Sequence, residues 1–106
     1  MGIDDTLAHE LVRRILAAAR PDRIILFGSA ATGTMTRDSD IDLLVLEREP
    51  GNTRQESVKI RRALDEIGYP IDVIVMSTER FEETKNIFGG IAYPAHRYGR
   101  ILCEAA

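Results

Sequence analysis

Arg23-Ile24-Ile25-Leu26-Phe27-Gly28-Ser29 and Asp40-Ile41-Asp42-Leu43-Leu44-Val45-Leu46, separated by residues 30–39, form the stretch that decides how this chain folds and what chemistry it can carry. Two apolar runs flank a link of small and polar residues. Successive side chains of a strand alternate between faces, so Asp40 and Asp42 are expected to point the same way. Two like charges on one rigid strand repel, and a divalent cation held by oxygen ligands is the usual relief. Gly28 and Ser29 close the first run where a phosphate can meet backbone N–H groups and a hydroxyl. The residues alone therefore point to metal-dependent chemistry on a nucleoside triphosphate.

Working outward, residues 24–27 read as a short buried strand and residues 29–33 as a tight turn or a single helical turn. Residues 34–39 are polar apart from Met35 and read as an exposed loop. Beyond its aspartates the second run is apolar on both faces, the mark of a central strand covered on both sides. The link between the two runs is too short for a parallel crossover through a full helix, so they are expected to pair antiparallel. Upstream, Leu7, Leu11, Ile15 and Ala18 recur at helical spacing, which predicts a helix over 5–20 with Pro21 just past its end. Downstream, Thr53-Arg54-Gln55-Glu56 fits a capping box opening a helix over 53–67, with Val58, Ile60, Ala63, Leu64 and Ile67 on its buried side. Gly68 and Pro70 stop it.

Residues 71–76, Ile-Asp-Val-Ile-Val-Met, predict a third strand, reached by a crossover through that helix. Ser77 or Thr78 is expected to cap a further helix from Glu79. Residues 91–98 suggest a short helix despite Pro94, and residues 100–103 a terminal extended segment. The expected order is α-β-turn-β-α-β-α: an α/β (α+β) domain spanning 1–106, with a small mixed sheet and helices mainly on one face. The aspartate face of the sheet is then left partly open.

Composition narrows the functional classes. The chain has 106 residues, a net charge of −3, 44% hydrophobic and 29% charged residues, and one cysteine. A net negative charge argues against a protein that holds nucleic acid unaided by neutralising phosphates. Cys103 has no internal partner, so nothing calls for an oxidising compartment, and it reads as a small buried hydrophobe. No apolar run approaches the ~20 residues of a membrane helix, and the acidic start lacks a signal-peptide pattern. No membrane association and a cytoplasmic location are the expectations.

Asp72 is the lone charge within the third run. If the second and third strands are neighbours, Asp40, Asp42 and Asp72 converge at one edge of the sheet. Mg²⁺ favours octahedral oxygen coordination by a few carboxylates and substrate phosphates, and two such ions can stabilise both oxygens of an in-line phosphoryl transfer. Asp72 would bind the second ion or accept the proton of an attacking hydroxyl; the plain alternative is pairing with an arginine at a strand edge. His9 reads as solvated, Tyr69 as packed at a helix end, and Tyr93, His96, Arg97 and Tyr98 as a candidate partner surface. No second His or Cys stands at zinc-ligand spacing.

Phe27-Gly28-Ser29, Ala31, Gly33, Ser39-Asp40-Ile41-Asp42-Leu43 and Ile71-Asp72-Val73 together resemble the nucleotidyltransferases of the DNA polymerase β superfamily, and within it the minimal nucleotidyltransferase (MNT) group. The resemblance covers most of the chain, from Arg23 to Met76. It implies a polymerase β-like fold and transfer of a nucleoside monophosphate from a triphosphate to a hydroxyl, with release of pyrophosphate and two Mg²⁺ ions. It makes Asp40 and Asp42 metal ligands, Asp72 the third carboxylate, and Gly28 and Ser29 holders of the triphosphate. One departure stands out: family members often carry arginines in the turn where this chain has Ala30 and Thr32. Arg37 or a side chain from a partner is the candidate substitute.

A chain of this size also resembles the antitoxin half of HEPN–MNT pairs. That resemblance implies transfer of AMP from ATP to a hydroxyl, a tyrosine by preference, of a helical HEPN-type toxin. Partner and chain would form a hetero-oligomer, with no direct contact to nucleic acid. Two other readings stay open: a catalytically weak or silent MNT-fold antitoxin that neutralises its partner by binding, and the transfer subunit of an antibiotic or nucleic-acid nucleotidyltransferase.

Overall fold

A computed structural model describes residues 3–34, 36 and 38–105. The elements follow one another as α1 (Asp5–Ala18), β1 (Arg23–Phe27), the one-turn α2 (Ser29–Thr32), β2 (Ile41–Glu47), α3 (Thr53–Ala63), a 3-10 turn (Asp65–Ile67), β3 (Ile71–Ser77), α4 (Thr78–Thr84), α5 (Ala92–Tyr98) and β4 (Arg100–Glu104). Among the described residues the strands form one four-stranded sheet in the order β3-β2-β1-β4. β1 runs antiparallel to β2 and β4, and β2 runs parallel to β3. The mixed sheet, the antiparallel first pair and the crossover through α3 are those the sequence predicts. The order runs further than expected at the C-terminus, where the extended segment becomes an edge strand on β1 with an irregularity between Ile24 and Ile25.

Period-two alternation along β2 divides the core. Ile41, Leu43 and Val45 join Ile24 and Leu26 of β1 and Val73 and Val75 of β3 beneath Leu11 and Ile15 of α1 and Ile60 of α3. On the other face Leu44 and Leu46 join Ile25 beneath Phe81 of α4 and Ala92 and Ala95 of α5. Leu43, Leu44 and Leu46 are fully buried, and each such side chain contributes ~1.5–3 kcal/mol over leaving it in water. The main core thus lies under α1 and α3, and a smaller one covers part of the opposite face.

Local signals set the boundaries, sometimes differently from expectation. The Asp4 carboxylate accepts the Leu7 N–H at 2.8 Å and starts α1. The helix stops at Ala18, short of Arg20: Ala19 is extended and its N–H closes on the Ile15 carbonyl at 2.9 Å, while Pro21 disfavours helix at the residue before it. Asn52, in place of Thr53, caps α3 by accepting the Gln55 N–H at 3.0 Å. Glu56 is therefore free of a capping box and pairs with Lys59 at 2.9 Å. The predicted helix over 53–67 is divided, its last turn tightening to 3-10 before Gly68 at φ +87°. Ser77 caps α4, and Pro94 falls in the first turn of α5, where a missing N–H costs little. Tyr69 is half exposed at 52% and Cys103 half-buried, less enclosed than predicted. Among the described residues no helix is long and apolar enough to cross a membrane.

Candidate functional site

Parallel pairing starts β2 and β3 at the same edge of the sheet. The Ile41 N–H donates to the Pro70 carbonyl at 2.8 Å, which sets the register: Ile41 faces Ile71 and Asp42 faces Asp72. Neighbouring strands lie ~4.8 Å apart and registered partners share a face, so the two carboxylates rise side by side. Phe27 flanks Asp42 from β1, and Asp40 sits just ahead of β2.

This face is the one that α4 and α5 cover, but α4 begins at Thr78, beside the opposite end of β3. The cover reaches Leu44, Leu46, Ile74 and Met76 and leaves the aspartate end open. Asp40 and Asp72 are exposed, and Asp42 is half-buried. The predicted partly open aspartate face is thus present, and the three candidate residues do meet at one edge.

The electrostatics follow from this crowding. Partial burial pushes the Asp42 carboxyl above its ordinary value, and the neighbouring charges of Asp72 and Asp40 push it further. All three effects disfavour the ionised form, and a cation on this edge would offset each of them. As the side chains stand, no three His, Cys, Asp or Glu among the described residues are drawn into one ligand set. The donor chemistry nonetheless fits a hard divalent ion: carboxylate oxygens from two adjacent strands on an open face, with room for phosphate oxygens to complete the set. Asp72 makes no ion pair among the described residues, so the strand-edge pairing with arginine is not seen there.

Gly28 ties the turn to the aspartates. Its backbone lies at φ +71°, a conformation that side chains rarely adopt, and a Cβ placed there would collide with the Asp42 Oδ2 oxygen. Glycine here leaves room for the Asp42 carboxylate. Ser29 opens α2 half-buried. Gly28 supplies no side chain to cap that turn; its carbonyl accepts the Ala31 and Thr32 N–H groups at 3.1 and 3.3 Å.

The two positions where arginines were missed have different surroundings. Ala30 is buried against the main core, whereas Thr32 is exposed and its hydroxyl reaches the Gly28 carbonyl at 3.3 Å and the Thr34 hydroxyl at 3.0 Å. Arg37 and Met35 lie outside the described residues. His96 stacks edge-on against Phe81 at 6.2 Å, and Tyr93 packs on the exposed Phe88 ring at 4.4 Å. One charged residue escaped the sequence reading. Glu47, the last residue of β2, is only 6% exposed. A carboxylate at the end of an otherwise apolar run was the available signal.

Comparison with known proteins agrees with this geometry. A family model described as a nucleotidyltransferase domain matches residues 9–93. In fold, the chain is similar to the crystal structure of a toxin-antitoxin with AMP-PNP, with a TM-score of 0.64 and 19% identity over 92% of this chain and 73% of that one. It is similar to a mutant of the toxin-antitoxin MntA-HpeT carrying two aspartate-to-glutamate changes, with a TM-score of 0.62 and 18% identity over 97% of this chain and 75% of that one. A third similar structure, from Sulfolobus solfataricus, is assigned to the nucleotidyltransferases: TM-score 0.58, 25% identity, 76% of this chain and 73% of that one. Sequence comparison with curated proteins gives no match.

Proposed function

Because the chain belongs to the nucleotidyltransferase domain family, we propose that residues 1–106 act as one minimal nucleotidyltransferase domain, moving AMP from ATP to a hydroxyl of a toxin that it neutralises. The single observation that carries the reading is the in-register pairing of Asp42 with Asp72 beside Asp40 on the open face of the sheet. The similar toxin-antitoxin structures, one of them with AMP-PNP, support the choice of ligand and of partner. A helical HEPN-type toxin offering a tyrosine is the acceptor this reading names, in a hetero-oligomer with the present chain.

In this reaction the acceptor oxygen attacks the α-phosphorus in line. The bond from that phosphorus to the oxygen bridging to the β-phosphate breaks, and pyrophosphate leaves. Asp40, Asp42 and Asp72 would hold Mg²⁺, by this reading two ions, whose chemistry is to neutralise charge on the phosphates and on the attacking and leaving oxygens. Gly28 and Ser29 receive the triphosphate with backbone N–H groups and a hydroxyl, and Gly28 keeps Asp42 in place. Asp72, exposed on the same face, would bind the second ion or take the hydroxyl proton.

The small turn residues Ala30 and Thr32 favour the second reading, an antitoxin that neutralises by occupancy with weak or no transfer. Changing Asp40→Asn and Asp42→Asn together separates the two. The enzyme reading expects the double variant to bind the toxin but to lose neutralisation and pyrophosphate release. Full neutralisation by the double variant at native levels would establish the binding module instead.

A further inference from the structure

The tail of β2 holds a carboxyl group that the transfer chemistry does not use. Glu47 is 6% exposed, and its Oε2 is buried without a hydrogen-bond partner. Its neighbour across the crossover is Glu56, in the first turn of α3, close enough for a side-chain hydrogen bond. Two carboxylates have no donor between them. That contact is attractive only when one of them carries a proton. Lys59 settles which: its Nζ grips Glu56 Oε1 at 2.9 Å, which keeps Glu56 ionised and leaves the proton to Glu47.

We propose that Glu47 and Glu56 share one proton in the folded protein, and that this proton is a pH-sensitive clasp joining the tail of β2 to the start of α3. The groups acting on Glu47 are Glu56 and Lys59 from α3 and Asp22 from the turn ahead of β1. Arg20, two residues past the end of α1, lines the same cavity of about 600 Å³ as Glu56 and Lys59. On β3 the register partner of Glu47 is Ser77, whose hydroxyl caps α4, and Thr78 beside it holds Asp22 at 2.6 Å. Burial first, then Glu56, pushes the Glu47 carboxyl up to about 7, while Glu56 moves down.

The sign follows from proton counting. Between about 4.5, the ordinary value, and about 7 the folded chain holds a proton that the unfolded chain has released. Stability from this group is fully present below 4.5 and is lost as pH rises through 7, when the proton passes to solvent and two adjacent carboxylates remain. The clasp stands independently of the transfer reaction.

Side-chain carboxyl ¹³C shifts of the full chain, followed between pH 4 and 9, test it. Glu47 is expected to titrate near 7, with its midpoint moving up in Lys59→Met and down in Glu56→Gln. Glu47→Gln keeps a donor toward Glu56 but cannot ionise. Its urea midpoint should gain on that of the native chain steadily from pH 5 to 8, a difference that cancels every other titrating group. A Glu47 midpoint in the ordinary carboxylate range, or urea midpoints that run parallel across that interval, would overturn the proposal. Should Glu47→Gln fail to fold, the shifts of the native chain and of Lys59→Met decide alone.

Discussion

β2 carries acidic residues at both ends, and the fold treats them in opposite ways. At its head, Asp42 is crowded by Asp72 and Asp40 on an open face, with no cation among the described residues to balance it. At its tail, Glu47 is sealed from water beside Glu56. Both arrangements raise a carboxyl above its usual value, yet at the head the neighbouring carboxylates are exposed, whereas at the tail Glu47 is buried. The difference teaches that a raised carboxyl alone does not identify a site: an exposed cluster can be relieved by a cation, an enclosed one by a proton. The leucines between the ends hold the two regions on one rigid strand.

The comparison can be broken at its head with the largest effect. Asp42→Asn is expected to lower transfer by about 10³-fold, or ~4 kcal/mol at the transition state, through loss of an ion ligand. The same change removes charge crowding and should raise the stability of the free chain, by ~1 kcal/mol. Transfer assays and thermal unfolding on one preparation check both. A variant that loses activity and stability together would make Asp42 a structural residue. Chelation of divalent ions should likewise abolish transfer while leaving the far-ultraviolet circular dichroism unchanged.

Leu44→Ala cuts between the two ends. The side chain is fully buried among Ile25, Leu46 and Phe81, and its loss is expected to cost ~3 kcal/mol by urea unfolding. Gly28→Ala acts on the head alone. The added methyl meets only the end of the Asp42 side chain, which can swing away, so stability should fall by ~1 kcal/mol from the backbone conformation. Transfer should fall more, by at least ~10-fold, because the displaced carboxylate is a ligand. Equal small losses in both would mean that Gly28 serves the turn and nothing else. Asn52→Ala sharpens the tail: removal of the α3 cap is expected to cost ~1 kcal/mol, and Thr53→Ala much less, as read from urea midpoints.

Much of this was legible in sequence because it is local or periodic. The alternation of Ile41, Leu43 and Val45 with Asp42 and Leu44 announces a strand covered on both faces, and the short link from Ser29 forces antiparallel pairing. Asp72 becomes a neighbour of Asp42 once α3 is recognised as a crossover. What was not legible depends on contacts between distant parts. Residues 100–103 read as an extended segment, but their place in the sheet, paired antiparallel with β1, was not legible. Asn52 and Thr53 are both good capping residues, and the sequence does not rank them. Glu47 looks like the polar end of an apolar run; only the packing of α3 shows that it is buried against another acid. The turn positions Ala30 and Thr32 read alike as missing arginines, while the fold buries one and exposes the other.

The central claim is that the carboxylates at the head of β2 and β3 transfer a nucleotide. The most direct test incubates the purified chain and Mg²⁺ with its toxin partner, or with lysate of its own source, and compares ATP labelled at the α-phosphate with ATP labelled at the γ-phosphate. The account predicts covalent label on the partner from the α position alone, absent with Asp42→Asn. Label from the γ position would mean phosphorylation, and label undiminished by Asp42→Asn would mean that the transfer belongs elsewhere; either would contradict it.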